Sequence, residues 1–226
     1  MDSSAALREL DAFIRDRSIL RHPFYQAWER GELTREQLAT YARIYYPHVQ
    51  AFPGYLEAAI GHASNEAIRA ELADNLADEL ADPAPHDELW LDFAEGVGAD
   101  RAAVLSAAPR PAAARVVQTF RSLAEASLAT GLAALYAYES QQPEVSETKA
   151  HGLRAHYGIQ DAKTTAYFTV HQAADVRHRA GERAALVDCL EAGTPPDVIR
   201  EAAGRALDAY WGLLDGVCED AGIVCH

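Results

Sequence analysis

The chain has 226 residues, 49% of them hydrophobic, and a formal charge of -14. That length buries one core comfortably and is short for two, so a single domain over residues 1–226 is expected. The acidic balance, without any dense Lys/Arg run, argues against nucleic acid and anionic membranes as partners, because phosphate binding needs basic patches.

Alanine is abundant, β-branched residues are sparse, and no Val/Ile/Thr run alternates at period two. The class expected is therefore all-α, with helices packed on helices. Leu7, Leu10, Phe13 and Ile14 recur at spacings of three and four, which predicts an amphipathic opening helix from Asp2 to Arg17. The same segment lacks the basic start and apolar stretch of a secretory signal, and no apolar run nears the roughly 20 residues of a membrane span. A cytoplasmic location is the expectation.

His22-Pro23 interrupts the first helix, and a short one follows from Phe24 to Arg30, ended by Gly31. Thr34-x-x-Gln37 has the form of a capping box and opens a long tyrosine-rich helix, which Pro47 and Pro53 should bend or divide. Asn65 caps a helix through Leu72, Leu76 and Leu80 that Asp82-Pro83-Ala84-Pro85 breaks. The next carries His86, Leu89, Trp90 and Phe93. After Pro109-Arg110-Pro111, about 30 helix-favouring residues run from Ala112 to Gln141, followed by helices near 146–157, 162–191 and 196–221. The sum is seven to nine helices in one bundle. Cys189, Cys218 and Cys225 make an odd count with no CxxC pair, so reduced thiols are expected.

Three groups of residues carry chemistry. His171-x3-Asp175-x2-His178 places its side chains within about 60° of one another on a helix, so three potential ligands point one way, although a solvated polar face has the same pattern. Glu139 continues the inward stripe of Leu128, Leu132 and Leu135, and an inward carboxylate needs a partner such as a cation. Glu79 and His86 lie two helical turns apart across the proline break, a weak pair within an acidic stretch. Together they offer three carboxylates and three imidazoles without thiolate, a mixture suited to two iron or manganese ions between helices. No pair of Glu-x-x-His motifs of the ferritin type is present.

With these residues the chain resembles the heme-oxygenase-like dinuclear-metal oxidases. Within that family it is most similar to the group of the Chlamydia protein associating with death domains and its bacterial relatives, which share a fold superfamily with the TenA and PqqC proteins. The match runs from HPFY at His22–Tyr25, through YARIYYPHVQAFPGYL, to the His171/Asp175/His178 set. The resemblance implies a single seven-helix bundle of the heme-oxygenase type and a metal set of Glu79, His86, Glu139, His171, Asp175 and His178. It implies two transition-metal ions, Fe/Fe or Fe/Mn, with dioxygen and an external reductant as co-substrates.

The implied activity is synthesis of para-aminobenzoate for folate by a protein that consumes its own Tyr25 as the ring and takes the amine from Lys149. Lys149 and Lys163 are the only lysines. Tyr41 is expected to line the same interior. Alternatively, Tyr25 packs with Trp28 and Lys149 is a solvated side chain, and the metal pair acts on an external small amine or fatty acid. A third reading is a non-enzymatic helical protein that binds death-domain-like partners. Heme and thiamin chemistry are disfavoured: His22 is a poor axial ligand beside Pro23, and the cysteines all lie at or beyond Cys189. A homodimer is possible.

Overall fold

The computed structural model describes residues 2–81 and 84–224. Helix α1 (Ser3–Asp16) is capped by Asp2, whose carboxylate accepts the Ser4 amide at 3.3 Å. A 3-10 turn (Ile19–Arg21) leads to α2 (Pro23–Glu29), where the His22 ring accepts the Phe24 amide and Pro23 takes the first turn. The predicted capping box opens α3 (Arg35–His62): Gln37 accepts the Thr34 amide at 2.9 Å and Thr34 accepts that of Gln37 at 3.2 Å. Pro47 and Pro53 both lie inside this one unbroken 28-residue helix. They do not divide it.

Asn65 caps α4 (Glu66–Glu79) as expected, and α5 (His86–Gly96) begins at His86. Asp82 and Pro83, on which part of the predicted break falls, lie outside the described residues. A short α6 (Arg101–Ser106), capped by Asp100, has no counterpart among the predicted elements. The predicted helix from Ala112 to Gln141 is two helices, α7 (Pro111–Ala126) and α8 (Leu128–Glu139). Ser127 is extended between them, its hydroxyl caps α8 through the Thr130 amide, and Thr130 Oγ1 donates back to the Leu123 carbonyl. This Ser/Thr pairing competes with the helix ladder at the one place in the run where it ends.

Helix α9 (Gln142–His156) starts earlier than position 146, because Pro143 sits in its first turn, where a missing amide costs nothing. The long α10 (Ala162–Glu191) and α11 (Pro196–Ala221) complete the chain, the latter closed by Gly222 at φ 63°. The described residues thus hold eleven α-helical segments rather than the seven to nine expected, and their backbone is all-α. No described helix is long and apolar enough to cross a membrane.

A continuous apolar core runs through every layer. Helix α10 packs on α9, α5, α8 and α4, and α3 lies against α7, α5 and α4. Four helices that bear polar residues, α4, α5, α8 and α10, therefore meet at one side of the core. Cys189 is buried and free, whereas Cys218 is disulfide-bonded, against the expectation of reduced thiols. Cys225 lies outside the described residues.

One close approach sets α2 against α9. The Trp28 indole donates to the Lys149 carbonyl at 3.2 Å, and it fits there because residue 152 has no side chain: a Cβ on Gly152 would stand 2.6 Å from Trp28 Cδ1. Gly152→Ala must push α2 away from α9. Overpacking of this kind costs about 1–3 kcal/mol, so thermal unfolding monitored by circular dichroism should show a melting point several degrees lower.

Candidate metal centre

All six residues singled out as ligands are buried, and they form two triads. Within each, one donor atom per residue lies within 4.8 Å of the other two. In the first triad Glu79 Oε1 is 3.0 Å from His86 Nδ1 and 3.9 Å from His171 Nε2. The His86 and His171 rings are 4.4 Å apart, centre to centre. In the second, His178 Nδ1 stands 3.5 Å from Glu139 Oε1 and 3.6 Å from Asp175 Oδ1. The spacing on α10 accounts for this placement: His171 reaches toward α4 and α5, while Asp175 and His178 reach toward the last residue of α8.

Outer contacts fix the rings. His171 Nδ1 lies 2.6 Å from the Tyr167 carbonyl, so it carries the proton and leaves Nε2 facing Glu79. His178 Nε2 is 2.9 Å from Asp78 Oδ2, which leaves Nδ1 facing the second triad. Asn75 donates its amide to both oxygens of Glu139, at 3.0 and 3.1 Å. These carboxylate–imidazole and amide–carboxylate contacts are the outer partners that orient metal ligands in general.

Several inward atoms remain unmatched. His86 Nδ1, His178 Nδ1 and Asp175 Oδ2 are buried without a hydrogen bond, even though His86 Nδ1 has a carboxylate oxygen 3.0 Å away. The angle is wrong for a proton bridge. Imidazole nitrogens and carboxylate oxygens that converge without satisfied hydrogen bonds are a donor set suited to a cation, so the side chains present fit a metal pair.

The electrostatics agree. Burial, the Glu139 charge and the Glu79 charge raise the Asp175 carboxyl to about 7 against the pull of His178. Burial opposes protonation of His178, but Asp175 and Glu139 outweigh it and lift the ring to about 10. Burial and the neighbouring His86 hold His171 well below the usual imidazole range. The polypeptide alone must keep protons at its second triad to offset clustered carboxylates, a role a cation takes over.

Beside the triads lies an aromatic chamber holding the other three predicted residues. Lys149, on α9, is 1% exposed, so it is not a solvated side chain. Its Nζ stands 5.1 Å from the centre of the Tyr25 ring, 5.3 Å from those of Tyr41 and Tyr45, and 5.6 Å from Trp90. Burial drives its ammonium well below the ordinary lysine value. Ring faces favour a cation by about 0.5–2 kcal/mol each, which opposes in part the cost of removing the ammonium from water.

The Tyr25 hydroxyl is 3.1 Å from that of Tyr41 and 3.5 Å from that of Tyr210, and burial keeps the phenol protonated. Tyr45 extends the network, with its hydroxyl 3.1 Å from that of Tyr210. An aromatic stack joins the chamber to the first triad: Trp90 stacks on Tyr45 at 4.7 Å and meets Tyr167 at 4.8 Å, and Tyr167 lies 4.1 Å from His171.

Asn75, Tyr167, Glu182 and Tyr210 are absent from the sequence reading, and Trp90 and Asp78 enter it only as a residue of the helix that carries His86 and as part of the acidic stretch. A signal existed for two of them. Asn75 precedes Glu79 by one turn, and Glu182 follows His178 by one turn, so each continues a ligand-bearing face. The aromatic residues read as core filler, and only their positions reveal more.

A family profile described as iron-containing redox enzyme matches residues 39–211. The chain is 41% identical over 221 residues to the 4-aminobenzoate synthase of Chlamydia muridarum, covering 97% of this chain and 92% of that one. It is 36% identical over 238 residues to the 4-aminobenzoate synthase of Nitrosomonas europaea, covering 100% and 97%. In structure it is similar to a TenA homologue from Pseudomonas syringae pv. tomato, with a TM-score of 0.82 at 18% identity over 97% of this chain and 96% of that one. At that identity the likeness speaks for the fold alone, and it is the heme-oxygenase-like fold expected.

Proposed function

The chain belongs to the iron-containing redox enzyme family, and from that membership we propose that it is a dinuclear-metal oxidoreductase that makes 4-aminobenzoate (para-aminobenzoate), a folate precursor, from its own side chains. The observation that carries this reading is the buried Lys149 amine poised 5.1 Å from the centre of the Tyr25 ring. A lysine buried among aromatic faces has lost the reason surface lysines exist. Burial favours its uncharged form beside a phenol.

In this reading Glu79, His86 and His171 hold one ion, and Glu139, Asp175 and His178 hold the other. The donor set suits Fe/Fe or Fe/Mn. Bound there, the pair supplies, with dioxygen and an external reductant as co-substrates, oxidising power that no side chain possesses. Asp78 and the Tyr167 carbonyl keep the ring nitrogens of His178 and His171 aimed inward, and Asn75 fixes both oxygens of Glu139.

Tyr25 provides the ring. Its Cα–Cβ bond breaks and Cβ is oxidised to the carboxyl carbon at the expense of dioxygen, while the Cε–Nζ bond of Lys149 breaks and its nitrogen takes the place of the phenolic oxygen, which leaves as water. Tyr41 and Tyr210 hold the Tyr25 hydroxyl and offer it a route for its proton. Tethering both reactants in one dry chamber replaces bimolecular encounters and excludes side reactions with water.

The test uses protein grown on ring-labelled tyrosine, stripped of metal, reloaded with iron or with iron and manganese, and given oxygen and reductant. The expected result is labelled 4-aminobenzoate, at most one per chain. Unlabelled product, or oxidation of an added amine or fatty acid with Tyr25 intact by mass, defeats the self-consuming reading in favour of an external substrate.

A further inference from the structure

Beside the six donors lies a buried acid that they leave unexplained. Glu182 follows His178 by one turn of α10, so positions 171, 175, 178 and 182 share a face about 60° wide. Only 4% of its surface is exposed, and neither carboxylate oxygen has a hydrogen-bond partner. It stands behind the tight second triad, with its carboxylate set against that of Glu139 and within reach of the Asp175 charge. Two ionised carboxylates offer only acceptors to each other. A proton or a cation must come between them.

The surroundings supply nothing else. Glu182 lines a narrow crevice between α4 and α10 with Glu71, Leu72, Asn75, Leu132 and His178. The Asn75 amide is already committed to Glu139, and His178 already faces Asp175, Glu139 and Asp78. Charge balance points the same way. Glu79, Glu139 and Asp175 bring three negative charges to the centre, and Glu182 makes four, the number two divalent cations cancel.

We propose that Glu182 supplies a further carboxylate donor to the ion held by Glu139, Asp175 and His178, which makes that position rich in oxygen while the Glu79, His86 and His171 position is rich in nitrogen. This rests on the reading of the two triads as a metal centre. It gives the two positions unlike chemistry, the Glu139/Asp175/His178 position suited to a hard cation such as Mn(II) and the Glu79/His86/His171 position to one that accepts imidazole.

The test is equilibrium titration of the metal-stripped full chain with Mn(II). Bound ions are counted by elemental mass spectrometry, and the free ion by its electron paramagnetic resonance. The wild-type chain should bind two. Glu182→Gln, which keeps shape and removes charge, should weaken Mn(II) at one position by about tenfold to a hundredfold and leave the other unchanged. Glu182→Ala should behave alike, with circular dichroism of both metal-free variants matching the wild type. Two ions held with unaltered affinity in a folded variant overturn the Glu182 assignment alone. A wild-type chain that binds fewer than two overturns the metal-centre reading and this inference with it.

Discussion

Tyr25→Phe should release no detectable 4-aminobenzoate from a chain that still folds and still binds two metal ions. The phenyl ring keeps the contacts that Tyr25 makes with Phe24 and Tyr41, so the core is preserved. What disappears is the hydroxyl, together with its hydrogen bonds to Tyr41 and Tyr210. Loss of those neutral bonds costs about 1 kcal/mol, a small fraction of the stability of a domain this size. The effect on product should be far larger, two or more orders of magnitude, because a phenyl group is much harder to oxidise than a phenol and gives no oxygen for the amine to displace. Chromatography with mass detection measures the product, and the intact mass of the reacted protein shows whether residue 25 has lost its side chain. Undiminished product from the Phe variant would falsify the assignment of Tyr25 as ring source.

Lys149→Met should also eliminate 4-aminobenzoate, but with the opposite sign on stability. Methionine has nearly the same length and flexibility, so it fills the space among Tyr25, Tyr41, Tyr45, Trp90 and Phe168. It has no amine to desolvate. Burial lowers the lysine well below its ordinary value, so folding at neutral pH bears the cost of desolvating its charge or of giving up its proton. Since the folded-state value lies below the unfolded one, that penalty grows as pH falls through the unfolded lysine range and persists at neutrality. Removing the group should therefore raise the melting point at pH 7 while product vanishes. A variant that is both stabilised and inactive separates a chemical role from a structural one. If the Met variant yields 4-aminobenzoate at the wild-type level, the nitrogen comes from elsewhere.

The metal donors were the most legible part of the sequence. Ligands on one helix must obey its period, so His171, Asp175 and His178 announce a shared face, and Glu139 stands out because it closes an apolar stripe. Glu79 and His86 were weaker, since prolines between them decouple spacing from direction; packing of α10 against both α4 and α5 is what unites them. Glu182 escaped notice because GERAA reads as an ordinary solvated turn, and its burial depends on which neighbours α10 meets. The helix-level errors share a cause. A break at Ser127 and a start at Gln142 are decided by single hydroxyl and proline contacts, which propensity summed over a long alanine-rich window averages away. The resemblance stated from HPFY and the ligand pattern named the family, while Trp90, Tyr167 and Tyr210 acquired meaning only through the distances that link chamber and triads.

The complete enclosure of Tyr25 has an outcome for the life of the molecule. Under the proposed reaction, breaking its Cα–Cβ bond would leave residue 25 without a side chain, within a seven-residue helix that also holds Phe24 and Trp28. Truncating a large core aromatic opens a void and typically costs about 3–5 kcal/mol, comparable with the whole margin of many domains. A chain that had spent its Tyr25 in this way would be a hollowed, loosened version of itself, easier for proteases to recognise than its unreacted siblings, so the cleavage that yields the vitamin precursor would also mark its source for disposal.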